Sequence, residues 1–164
     1  MKILILGLGN DIRNEDAVGI IVAKKLYEKI KSENVFFEEC YLGGFRIFDI
    51  IVGYDKVIII DTISESQDLK FGECYKIYYN KESYGFNLYS SHNFGLFNSI
   101  ELTKKLGFKV PKDISIYAIV VKKLDEFGEK ISDEIKQRIP QIVEEIYKEE
   151  FENARNSNSS GINR

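Results

Sequence analysis

Hydrophobic positions along the chain alternate between two rhythms. Continuous apolar runs at residues 2–6, 57–60 and 114–120 read as strands buried on both faces of a parallel sheet. Val18, Ile21, Val22 and Leu26 recur at helical spacing, with Lys24, Lys25 and Glu28 on the other side, which predicts a helix over 16–30. Residues 35–41 predict a second strand ending on Gly43-Gly44, and 46–52 a short helix. Residues 72–79 alternate enough to predict an edge strand. A polar loop, 80–91, leads into a predicted helix over 94–106. A long helix over 131–150 contains Pro140, which is expected to kink it.

Strands alternating with helices imply a mostly parallel sheet covered on both faces. The expected fold class is α/β: a three-layer α/β/α sandwich around a mostly parallel five-stranded sheet with one antiparallel edge strand. If the second and third strands flank the first, the order reverses between the first and third. The crevice at that switch point is where such folds keep their sites. Residues 1–151 are expected to form a single domain. Residues 152–164, rich in Asn and Ser, read as a polar, disordered tail.

A length of 164 residues suits one domain with a core that needs no staples. The net charge of −3 gives no electrostatic reason to expect nucleic acid. Cys40 and Cys74 lack any CxxC spacing or neighbouring histidine, so they read as buried free thiols of a reducing cytoplasm. The apolar start is too short to span a membrane and runs straight into a glycine turn. The expectation is a cytoplasmic enzyme-sized domain with no membrane partner.

The chemistry concentrates where apolar runs stop. The first run breaks on Gly7-Leu8-Gly9-Asn10 and delivers Glu15 and Asp16 immediately before the first helix. A dinucleotide fingerprint would need a third glycine where Ile12 stands, and carboxylates do not face a pyrophosphate. A phosphate loop would need a following Gly-Lys-Ser/Thr, which is absent. Acids in a first helical turn also complement the helix dipole, the structural alternative for Glu15 and Asp16. Asp61 directly follows Val57-Ile58-Ile59-Ile60, which puts a carboxylate at the carboxyl edge of a central strand. Its structural alternative is to position a loop through Thr62 and Ser64. His92 is the only histidine, set in Ser90-Ser91-His92-Asn93-Phe94-Gly95-Leu96 at a helix entry. Asp16, Asp61 and His92 together make an incomplete metal site with room for water or substrate atoms.

Gly7-Leu8-Gly9-Asn10 through Glu15-Asp16-x-x-Gly19, then Ile59-Ile60-Asp61, then Ser91-His92-x-x-Gly95-Leu96, in that order, resembles the hydrogenase maturation endopeptidase family. The resemblance covers about the first 120 residues. It implies an α/β/α peptidase that removes a C-terminal extension from the precursor of a nickel–iron hydrogenase large subunit. It also implies that Asp16, Asp61 and His92 are both the metal-binding and the catalytic residues. The metal would be nickel already inserted in the precursor, replaceable by a divalent surrogate, with no organic cofactor. Ala17 stands where the family often has glycine, and Glu15-Asp16 replaces a frequent Asp-Asp. In the run Leu42-Gly43-Gly44-Phe45-Arg46-Ile47 the family's glycine pair is kept and its threonine is not. Whether the metal acts on the scissile carbonyl and water, or an aspartate serves as general base, is open at this level. Two other readings compete: a peptidyl-tRNA hydrolase, which shares the strand-then-Gly-Leu-Gly-Asn opening, and a non-enzymatic Rossmann-like regulatory domain. The first wants a histidine close behind the opening motif and a basic surface, and this chain has neither.

Overall fold

The computed structural model describes residues 1–9, 14–41, 47–78, 100–122 and 131–153, with Asn14, Asp16, Phe48 and Tyr78 described through their backbone. Five strands, β1 (Ile3–Leu8), β2 (Val35–Cys40), β3 (Lys56–Ser64), β4 (Cys74–Tyr78) and β5 (Asp113–Val121), form one sheet in the order β2-β1-β3-β5-β4. All neighbours are parallel except β4, which pairs antiparallel with β5 at the edge. The expected architecture is therefore the observed one. Because β2 and β3 flank β1, the switch point lies between β1 and β3.

Strand alternation sorts the core into two layers. Ile3, Ile5, Ile58 and Ile60 face α1 (Val18–Ile30) and α4 (Asp133–Tyr147), meeting Val22, Leu26, Ile139 and Ile142. Leu4, Leu6, Val57 and Ile59 face the other way, onto Ile47 and Ile51 of α2 (Ile47–Ile51) and Ile100 of α3, whose described part is residues 100–105. Central strands buried on both faces cannot alternate with polar residues, which is why β1 and β3 read as unbroken apolar runs. At the edge, β2 exposes Phe36 and Glu38.

α4 begins at Ser132, whose hydroxyl accepts the Ile135 N–H, and Asp133 and Glu134 in its first turn complement the helix dipole. Pro140 sits inside α4 without ending it, and the chain continues into a π-helical turn, Lys148–Glu152. The predicted tail lies outside the described residues from 154 onward. No helix among the described residues is long and apolar enough to cross a membrane. Cys40 is buried, Cys74 is half-buried, and neither is in a disulfide. Burial, with Glu145 adding to it, pushes the Cys74 thiol up to about 12, so it stays protonated and is no nucleophile.

The ends of β1 and β3 lie beyond the sequence reading. β1 continues through Gly7 to Leu8, and Gly7 pairs with Glu39 on one side and Ile60 on the other. Gly7 is there for close approach: a Cβ would stand 2.7 Å from the Ile20 Cα of α1. β3 likewise does not stop at Asp61 but runs to Ser64, because β5 is long enough to pair with it as far as Ser64↔Val121. A strand ends where its neighbours stop offering partners, and the acid does not decide it.

Candidate active site at the carboxyl edge of the sheet

β1 pairs with β3 only as far as Gly7↔Ile60, so Asp61 is the first β3 residue beyond the reach of β1. On its other side Asp61 stays in register with Ala118 of β5. Asp61 is 1% exposed, and its Oδ1 accepts the Thr62 backbone N–H at 2.8 Å. That bond orients the carboxyl group locally, within β3 rather than in the loop that the structural alternative expected.

The gap left above β1 is filled by the start of α1. Gly19 is seated so tightly that a Cβ would stand 2.6 Å from the Leu8 carbonyl, 2.9 Å from the Ile60 carbonyl and 3.2 Å from the Asp61 Cα. Only a residue without a Cβ lets the helix come down onto both strand ends. The preceding residues, Asn14–Ala17, form a 3-10 turn rather than the first turn of α1 itself, which begins at Val18. This turn carries Asp16, and it packs against β3. The backbone of Asp16 and the carboxylate of Asp61 are thus brought to one end of β3.

His92 and the loop 80–91 lie outside the described residues. Among the described residues no three His, Cys, Asp or Glu side chains are grouped to hold a metal, and these include neither His92 nor the Asp16 side chain.

Glu15 is the residue whose role the sequence did not convey. It is 3% exposed, and its Oε2 accepts the backbone N–H of Lys122 at 2.9 Å. Lys122 follows the last residue of β5, so the turn after β1 is tied across to a strand two places away in the sheet. No signal in the chain could have found this bond. Its partner is 107 positions distant and is a backbone amide, which any residue except proline would offer.

Comparison with known proteins agrees with the geometry. The family model of the HycI hydrogenase maturation proteases matches residues 20–149, a span that holds Asp61 and His92 and opens just after Asp16. Among solved structures, the hydrogenase maturating endopeptidase HybD from E. coli superposes with a TM-score of 0.74 at 22% identity, covering 89% of this chain and 90% of that one. The NiFe hydrogenase maturation protease HybD from Thermococcus kodakarensis is 28% identical, with a TM-score of 0.68 over 90% of this chain and 98% of that one. HycI from the same organism gives 0.61 at 24% identity, over 88% and 89% of the two chains. No curated protein matches the chain by sequence. With most of its length matched by the family model, this chain belongs to the hydrogenase maturation protease family and is a peptidase acting in hydrogenase maturation.

Proposed function

We propose that this protein removes the C-terminal extension of a nickel-loaded large-subunit precursor of a nickel–iron hydrogenase, and that Asp16, Asp61 and His92 recognise the inserted nickel. The observation that carries the reading is the seat of Gly19, which sets the turn bearing Asp16 against the end of β3 where Asp61 stands. Two carboxylates and an imidazole suit a borderline divalent ion. Three protein ligands also leave coordination positions for groups that the precursor itself supplies. Nickel is then part of the substrate, and an unloaded precursor lacks the element by which the enzyme grips it.

Once the ion is engaged, two routes to peptide hydrolysis are chemically open. The ion polarises the scissile carbonyl and activates water, or one of the two aspartates takes the proton of the attacking water. We place this reaction in the cytoplasm, supported by two cysteines that form no disulfide among the described residues.

The test is to incubate the protein with nickel-loaded and nickel-free precursor and to measure intact masses. The expected result is loss of the extension from the loaded precursor alone. Equal cleavage of both would overturn the recognition role, and cleavage of neither would overturn the substrate.

A further inference from the structure

We propose that Glu15 is a positioning residue: its buried carboxylate straps the turn carrying Asp16 to the end of β5 and so sets where Asp16 stands relative to Asp61. The inference rests on the reading of Asp16 and Asp61 as site residues given above.

The turn is anchored at two points. One is Glu15, whose Oε2 holds the Lys122 N–H at 2.9 Å. The other is Gly19, pressed against the carbonyls of Leu8 and Ile60. Asp16 lies between them, one residue from the first anchor and three from the second. The turn packs against β3, and the Glu15 side chain crosses from there to the end of β5, the next strand in the sheet.

The far anchor is itself fixed. The Lys122 ammonium pairs with Glu134 at 2.6 Å and lies 4.8 Å from the centroid of the Phe71 ring. The Lys122 amide also lies past the last β3–β5 pair, Ser64↔Val121, and is therefore available to a side chain.

A carboxylate is a poor choice for stability alone at a site only 3% exposed, because an apolar side chain would fill it without desolvating a charge. It is a good choice for placement, since it makes a directional bond to a rigid strand end. A group that must meet a metal or a reacting atom tolerates displacements of only about 0.5 Å, so its neighbours have to be held this firmly. Glu15 itself is turned away to Lys122 and is not a catalytic residue.

The experiment compares Glu15→Ala, Glu15→Gln and Glu15→Asp, with Asp55→Ala as a control that removes the bond from the Lys2 N–H at the opposite, amino end of the sheet. Amide hydrogen exchange is followed by NMR at Lys122 and at residues 16–19, and kcat and KM are measured on nickel-loaded precursor. In Glu15→Ala, exchange at these amides should rise on the order of tenfold, while α4 keeps its protection. Its kcat should fall on the order of 10–100-fold, with KM within about twofold. Glu15→Gln offers an oxygen to the same N–H and should restore both readouts, whereas Glu15→Asp is one methylene too short and should not. Asp55→Ala should lower the melting temperature and leave kcat unchanged.

Unchanged exchange at 16–19 in Glu15→Ala, or a wild-type kcat, would overturn the proposal. So would a Glu15→Gln variant as impaired as Glu15→Ala, because charge rather than placement would then matter. If Glu15→Ala does not fold, the contrast of Gln with Asp decides the same question. If the wild type cleaves no precursor, the functional reading fails, and the exchange data still decide whether Glu15 holds the turn.

Discussion

The two ends of the sheet both bury carboxylates, and they treat them oppositely. At the amino end Glu150, reaching in from the π-helical turn with its side chain 2% exposed, meets Lys56 at 2.7 Å, Lys76 at 2.9 Å and the Tyr117 hydroxyl at 2.5 Å. Lys56 also pairs with Asp113 and Lys76 with Glu149. At the carboxyl end Glu15 and Asp61 accept backbone N–H groups, those of Lys122 and Thr62. An ammonium neutralises a carboxylate, whereas a backbone amide fixes its place. The first arrangement locks the C-terminal segment to β3, β4 and β5. The second ties the turn after β1 to the end of β5 and orients the Asp61 carboxyl group within β3.

That contrast predicts where activity and stability part company. The largest effects belong to the site: Asp16→Asn, Asp61→Asn and His92→Ala should each abolish processing in a mass-based cleavage assay, while Asp16→Asn and His92→Ala keep the wild-type melting temperature. Normal cleavage by any of the three would break the assignment. Glu150→Ala should do the reverse. Lys56 and Lys76 keep Asp113 and Glu149 as second partners, so losing the bonds to Glu150 costs about 2–3 kcal/mol rather than the penalty of an orphaned buried charge. Urea unfolding should register that loss, and kcat measured well below the melting transition should stay near wild type.

Acid sharpens the same point. Burial by itself would raise the Glu150 pKa, but hydrogen bonds from Lys56, Tyr117 and Lys76 outweigh it and hold it at about 2, against an ordinary value of 4.5. A depressed carboxylate contributes its stability above the unfolded pKa and loses it as pH falls toward the folded one. Unfolding free energy should therefore drop on the order of 2–3 kcal/mol between about pH 4.5 and about pH 2. Glu150→Gln should flatten that part of the profile, and an unchanged slope would remove Glu150 from the account.

The smallest stability effect returns to the carboxyl edge. Gly19→Ala forces a methyl to within 2.6 Å of the Leu8 carbonyl, so the start of α1 must lift. The expected cost is about 1–3 kcal/mol. Its kcat should fall further than that loss of stability explains, because Asp16 moves with the turn. A thermal melt and a cleavage assay on one preparation separate the two effects.

Much of this was legible in the chain. Val57-Ile58-Ile59-Ile60 identified a central strand, and Val18, Val22 and Leu26 identified the helix that covers it. Asp61 was recognised because a carboxylate after four apolar residues has few structural reasons to be there. Its true setting was not legible: the strand continues past it in register with β5, while the pairing of β3 with β1 ends one residue earlier. The role of Glu15 was equally hidden beside Asp16, since both acids satisfy the same local rule for a helix entry.

The sequence by itself determined the class of fold and the order of its elements, and it singled out the candidate site residues. Each of these is written in side-chain type and short-range periodicity, which a helix or strand imposes on its own residues. Only the tertiary structure decided that β3 outruns β1, that Gly7 and Gly19 admit α1 to the sheet, that Lys56 and Lys76 neutralise Glu150, and that Glu15 reaches Lys122. These are contacts between distant positions, several of them to backbone groups that every residue shares. They exist only once packing brings the partners together.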